Sequence, residues 1–327
     1  MELTKAKSNF GCVIYNLGAN FTLNNISIYD NEITDALANT MSAIYNTGVM
    51  TINNSKIINN IGYGLIYSSN NLILINSTVS GNDIASGTSS YGIVYSTSGI
   101  VKIFNSNITN NIARLGTVYI SNGDLIVENS IFEANNVILG NGGAITLFSL
   151  SSKSNITNAT FRDNAASAVR VNASKSFLVD NSRFIRNHGS IYSLTTGVLN
   201  NTLITEDYGP SVGFSTVLLI PIIRNMQSIV NSNFTKNKDV IISTSFVHYG
   251  DNIYLYNCYF GNNTNYYAQD HRNSSGEGLI LNGGNMTVDY CTFENNSVFY
   301  GGVFYNDGTT VSPGKLYYSK LDITNSI

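Results

Sequence analysis

A seven-residue phrase, Asn-Ser-x-Phe-x-x-Asn in its fullest form, recurs along the chain, and a period of this length means stacked copies of one small unit. Copies with Asn first, Phe fourth and Asn seventh begin at Asn129, Asn158, Asn181, Asn231 and Asn257, and looser ones at Asn25, Asn54, Asn76, Asn105, Asn201 and Tyr290, at intervals of 20 to 33 residues. The register within the copies is strict. Two residues before each copy stands an aliphatic residue, such as Leu23, Ile52, Val127 or Leu255. The fourth place is Ile, Val or Phe every time, from Ile28 and Ile57 through Phe132 and Phe161 to Phe293. The seventh is Asn31, Asn60, Asn82, Asn111, Asn135, Asn164, Asn187, Asn237, Asn263 or Asn296, with Asp207 in the copy that begins at Asn201.

Between copies lies a second phrase, a small or glycine pair followed by apolar residues and often Tyr: Gly142-Gly143-Ala144-Ile145, Gly301-Gly302-Val303-Phe304-Tyr305, Met41-Ser42-Ala43-Ile44-Tyr45. Each unit therefore holds three short β-prone runs separated by turn residues, and none has the length or the 3.6 period of a helix. A unit with one apolar face has to stack on its neighbours to bury it. The sequence thus predicts a right-handed parallel β-helix of about 11 to 12 coils, the hand following the crossover preference of parallel strands. It reads as one array over 1–327, interrupted by insertions near 205–228 and 265–278. A leucine-rich repeat shares the length and an Asn column, but needs Leu-x-Leu-x-x-Asn and a helical return segment, and neither is present.

Stacking turns each repeat position into a column. The fourth-place residues are expected to fill the interior. The seventh-place asparagines are expected to form a ladder of amides one above another, in the left-handed backbone of the turn. Cys258 and Cys291 hold the second place of consecutive copies, which puts them one strand spacing apart, as two stacked thiols or as a disulfide. Cys12 has no evident partner.

Composition narrows the function. The chain carries 17 Lys and Arg against 20 Asp and Glu, a net charge of −3, which leaves no basic footprint for nucleic acid. Three His and three Cys do not spell a metal site, and no cofactor is expected. Polarity comes from amides and hydroxyls: Asn alone accounts for 49 residues. The longest apolar run, Val217 to Ile223, is broken by Pro221 and is far short of the roughly 20 residues of a spanning helix. Met1 to Phe10 is not followed by a leader-like apolar run.

The pairing of Phe-x-x-Asn with Gly-Gly-Ala-Ile in one unit, strictest at Phe132 to Ile145 and Phe293 to Phe304, resembles the repeat of chlamydial polymorphic outer-membrane proteins. It is similar also to repeats in adhesin-like surface proteins of archaea and large proteins of protists. The resemblance spans nearly the whole chain, relaxing where Gly116-Thr117-Val118 and Gly189-Ser190-Ile191 keep one Gly. It implies a cell-surface or extracellular module, adhesive or structural, with glycans or surface proteins as partners and membrane association only through regions outside this chain. The array begins and ends inside its own pattern, as a fragment of a longer protein is expected to do.

Parallel β-helices also carry polysaccharide lyases and hydrolases, so a carbohydrate-active enzyme is the competing expectation. It requires carboxylates converging on one groove, and the convergence of Asp251, Asp270, Glu277 and Asp289 would mark it. Asp163, Glu133 and Glu294 sit at the fifth or sixth place, beside the Asn turn, and read as solvated. Asn187-His188-Gly189 resembles a His-Gly pair of polygalacturonases without its supporting aspartates, and His248 and His271 show no ligand spacing. If a carbohydrate or partner is gripped by a loop, the richest is the second insertion, with Tyr266, Tyr267, Asp270, His271, Arg272 and Glu277. Asn-x-Ser/Thr tripeptides occur fourteen times, close to the number chance allows in so Asn-, Ser- and Thr-rich a chain.

Overall fold

A computed structural model describes the chain apart from residues 9–12, 34–41, 85–91, 140–141, 149–152, 174–175, 194–196, 209–222, 225–227, 240, 244–251, 266–277, 299–300, 307–309, 313–314 and 318–319. The described residues form two compact units, Met1–Ser176 and Phe177–Ile327. Each is an all-β parallel solenoid.

In every coil the chain visits three sheets in turn, here called A, B and C. In the first unit, sheet A runs from Ile14–Asn16 through Ile44–Asn46, Ile66–Ser68, Gly92–Ser96, Gly116–Ile120 and Ile145–Phe148 to Val169–Ala173. Sheet B begins at Asn20–Asn24 and reaches Lys153–Thr157, and sheet C begins at Glu2–Thr4 and reaches Thr160–Arg162. In the second unit the same order holds, for example Ile191–Ser193, Gly197–Asn200 and Leu203–Thr205 for one coil. Strand partners are one coil apart, with Val79 opposite Ile57 and Ile108, and Phe234 opposite Ile204 and Phe260. The one antiparallel pair joins Thr310–Ser312 to Lys315–Tyr317 among the described residues.

The phrase maps onto this coil place by place. Its third to fifth residues are the sheet C strand, so the fourth points inward: Ile28, Ile57, Val79, Ile108, Phe132 and Phe161 are fully buried in the first unit, and Phe184, Ile204, Phe234 and Phe260 in the second. The ring planes of Phe132 and Phe161 stack at 4.9 Å, those of Phe234 and Phe260 at 4.6 Å, close to the strand spacing that dictates them. Burial of each such side chain contributes about 1.5–3 kcal/mol. The aliphatic residue two before the phrase is the last inward residue of sheet B.

The corners correct one expectation. The seventh-place asparagines do not take the left-handed backbone. That conformation falls on the first place (Asn25, Asn54, Asn76, Asn105, Asn129) and on the sixth (Asp30, Asn59, Asn110, Ala134, Asp163), with the same two places used in the second unit. The chain therefore bends on entering and on leaving sheet C. Asn at the seventh place is free to turn its amide into the stack.

Candidate functional site

Two kinds of column matter: one that holds the wall together and one that faces outward. The inner one is the asparagine ladder. In the first unit the Nδ2 of Asn31 donates to Oδ1 of Asn60 at 2.8 Å, Asn60 to Asn82 at 2.9 Å, Asn82 to Asn111 at 2.9 Å, Asn111 to Asn135 at 3.0 Å and Asn135 to Asn164 at 3.1 Å. In the second, Asn237 donates to Asn263 at 3.0 Å and Asn263 to Asn296 at 2.9 Å. Each Nδ2 also donates to the carbonyl of a fourth-place residue one coil back, as Asn135 does to Ile108 at 2.8 Å, and each Oδ1 also accepts a backbone N–H, as that of Asn82 does from Asn60 at 3.0 Å. The amide is thus saturated while buried, which is what a buried polar column requires.

A second ladder, which the periodicity alone did not single out, runs through the second place of the phrase. Oγ of Ser55, Ser77, Ser106 and Ser130 donates to the carbonyl two residues before it, at 2.6 to 2.8 Å, and accepts a backbone N–H from the preceding coil. The recurrent Ser after the phrase's first Asn was its signal. Cys258 and Cys291 are members of this column, both buried free thiols, with Sγ of Cys258 donating to the Tyr256 carbonyl at 3.3 Å and Sγ of Cys291 to that of Asp289 at 3.4 Å. They stand as stacked thiols, not a disulfide. The hydrogen bond to Cys291, and then burial, hold the Cys258 thiol well above the usual thiol range.

The Asn ladder has one ionisable rung. Asp207 is fully buried; its Oδ1 accepts the backbone N–H of Asn187 at 2.7 Å and Nδ2 of Asn187 at 3.4 Å, and its Oδ2 accepts the Ser190 hydroxyl. Its own N–H donates to Oδ1 of Asn237 at 3.0 Å. Burial pushes its carboxyl up to about 7, against the opposing pull of these hydrogen bonds. His188 lies half-buried beside it, its ring edge-on to Tyr208 at 5.3 Å, and burial lowers its basicity. Asp207 is closed off from solvent, whereas His188 is partly exposed.

The outward column is on sheet A of the first unit. Tyr15, Tyr45, Tyr67, Tyr95 and Tyr119 are directly opposite one another in five successive strands, between inward residues such as Ile44, Ile66, Val94 and Val118. Rings of Tyr15 and Tyr45, and of Tyr45 and Tyr67, stack face to face at 4.8 Å; Tyr95 is turned 70° from Tyr67, and Tyr119 60° from Tyr95. Exposure falls along the column from 55% at Tyr15 to 7% at Tyr119. The glycine of the second phrase makes room for it: a Cβ at Gly92 would stand 2.9 Å from Cβ of Tyr119. The recurring Ile-Tyr-Asn and Val-Tyr-Ser triplets were the signal in the sequence.

This arrangement limits the chemistry. Stacked rings cover one another's faces and offer edges and hydroxyls. Rigid, prealigned Tyr side chains give large amphipathic contact at low entropic cost.

The other anticipated site residues are dispersed or lie outside the described residues. Glu133 pairs with Arg162 at 2.7 Å on the outer face of sheet C, and Asp163 and Glu294 are exposed, as their place in the phrase predicts. Asp289 is on sheet B, where it accepts hydrogen bonds from Thr324 and Asn325, both at 2.9 Å. The other three carboxylates of the anticipated groove, Asp251, Asp270 and Glu277, lie outside the described residues, as do Tyr266, Tyr267, His271, Arg272, His248 and Cys12. Among the described residues no group of three or more His, Cys, Asp or Glu is placed to hold a metal ion, and no helix is long and apolar enough to cross a membrane.

No curated protein and no solved structure matches the chain. Residues 69–215 match the family model of the right handed beta helix region, in agreement with the coil described above: the fold is a right-handed parallel β-helix.

Proposed function

We propose that this chain is a non-catalytic module, presented at a cell surface or outside the cell, whose role is adhesive, and that the tyrosine column of sheet A is its contact face. The observation that carries this reading is the row of tyrosines held in register, of which Tyr15, Tyr45, Tyr67 and Tyr95 reach solvent. Stacked on a rigid wall, they need no ordering on binding, and a row of equivalent groups favours many weak contacts over one strong one. The paucity of charge, 11% of residues, agrees with recognition through hydroxyls and ring edges. The Phe-x-x-Asn and Gly-Gly-Ala-Ile repeat supports a kinship with polymorphic outer-membrane and adhesin-like proteins. Glycans and surface proteins are the partner classes; edge-on rings favour polypeptide, since sugars stack on open aromatic faces.

Beads coated with the chain test it, read on a glycan array and on immobilised cell-surface proteins. Wild-type beads should be retained, and the Tyr15→Ser, Tyr45→Ser, Tyr67→Ser triple variant should lose at least tenfold in retention with an unchanged circular dichroism spectrum. Equal retention of the two would defeat the assignment of this face.

A further inference from the structure

The fold sorts the asparagines of the Asn-x-Ser/Thr tripeptides from those of the core. Among the described residues thirteen asparagines are buried, including every ladder asparagine but Asn296, and none of them begins such a tripeptide. The ladder is exempt for a structural reason. The residue two places beyond it points inward, as Ile84, Ala113, Asp239 and Asn265 do, so it is rarely a hydroxyl residue. Twelve tripeptides begin at an asparagine whose exposure is described, and none of these twelve is buried.

Eight of them go further. In the first unit Asn20, Asn25, Asn76, Asn107 and Asn155 are exposed, and in the second Asn233, Asn262 and Asn295. Among the described residues their side-chain Nδ2 atoms donate no hydrogen bond. Other tripeptide asparagines are engaged: Nδ2 of Asn53 donates to Asn24 at 3.3 Å, and that of Asn200 to Asp180 at 2.8 Å. The eight lie on sheet B (Asn20, Asn155), on sheet C (Asn107, Asn233) and at the bends on either side of sheet C (Asn25, Asn76, Asn262, Asn295). None lies on the five sheet A strands that carry Tyr15 to Tyr119.

We infer that the chain is an N-glycoprotein, carrying oligosaccharide on these eight asparagines and leaving the tyrosine column bare. The donor class is an oligosaccharide on a polyprenyl pyrophosphate or phosphate. Nδ2 of the asparagine forms a bond to the anomeric carbon as the bond from that carbon to the lipid phosphate oxygen breaks. The phosphate leaves with the bonding pair, and the amide gives up one proton to the transferase's base. A free, solvent-facing amide accepts the glycan at no cost to the wall, whereas a ladder amide would lose two to three hydrogen bonds.

The inference rests on the exported setting proposed above, and the test separates the two. Glycopeptide mass spectrometry is run on the protein purified from the cells that make it, alongside protease shaving of those intact cells. Carbohydrate on half or more of the eight, and none on peptides of the ladder or of the Tyr15 to Tyr119 strands, is the expected result. A double Asn107→Gln, Asn233→Gln variant should lose the mass of two glycans with its far-ultraviolet spectrum unchanged. Carbohydrate on fewer than half, or on a ladder asparagine such as Asn111, overturns the inference. If shaving or the culture medium yields an unmodified chain, the exported setting stands alone; if the chain is found neither on the surface nor in the medium and carries no carbohydrate, both fall.

Discussion

At the scale of the residue, asparagine does two separable jobs in this chain. At the first place of the phrase it takes the left-handed bend, where its short polar side chain relieves the cost of that conformation. At the seventh it is an ordinary backbone residue whose amide is saturated in the ladder. The two jobs look alike in sequence, which is why the column was legible and the backbone assignment was not. The sixth place, which does bend, is filled by Asp30, Asn59, Gly81, Ala134, Arg186 and Lys236, with no common chemistry to flag it. Asn135 shows what the ladder is worth. Its Oδ1 accepts the Asn111 N–H at 3.3 Å and the Asn111 amide at 3.0 Å, and its Nδ2 donates to Ile108 and Asn164. Asn135→Ala leaves several of these buried groups without partners, and should lower unfolding free energy by about 3 kcal/mol in urea, with the denaturant slope unchanged. A loss under about 1 kcal/mol would mean that the ladder merely decorates the wall.

At the scale of the element, the strands were readable from alternation, and the Gly-Gly-Ala-Ile phrase was readable as a strand entry without its reason. The reason is clearance. A Cβ on Gly142 would press on the carbonyl oxygen of Leu115, and one on Gly143 on that of Ser167, in the coils on either side. Neither glycine has a positive φ, so close approach, not handedness, demands them. A Cβ on the equivalent Gly302 would meet nothing nearer than the carbonyl oxygen of Phe304, two residues on, at 3.5 Å, and Phe304–Asn306 is the last strand of its sheet among the described residues. Identical substitutions should therefore differ. Gly143→Ala should cost about 3 kcal/mol through a forced backbone shift, and Gly302→Ala less than about 0.5 kcal/mol, both read by urea unfolding. Equal costs would show that the glycines serve local flexibility instead. The tyrosine column belongs to this scale as well: each Tyr is unremarkable in its triplet, and becomes a surface only when strands from five coils align.

At the scale of the molecule, charge is sparse and the described ion pairs, such as Arg162–Glu133 and Arg186–Glu206, are half exposed and contribute little. One buried titration stands out. The Asp207 carboxyl, near 3.8 when unfolded, is raised to about 7 in the fold. Between these values the native state holds a proton that the unfolded state has released, so stability is full below about pH 4 and declines as pH rises through 7. The decline attributable to Asp207 is on the order of 4 kcal/mol at most. Urea unfolding of the wild type and of Asp207→Asn from pH 4 to 8 isolates it: the difference between them should widen with pH in favour of the variant, which restores the amide. A constant difference would mean that the carboxyl is not the group that titrates. Periodicity by itself determined the coil, its inward column, its polar ladder and its poverty of charge, because every copy of the phrase repeats the same local demand. Which residue of a corner bends left-handed, which glycine is crowded and that the tyrosines form one surface were decided only by the tertiary structure, because each depends on what the neighbouring coil places a strand spacing away.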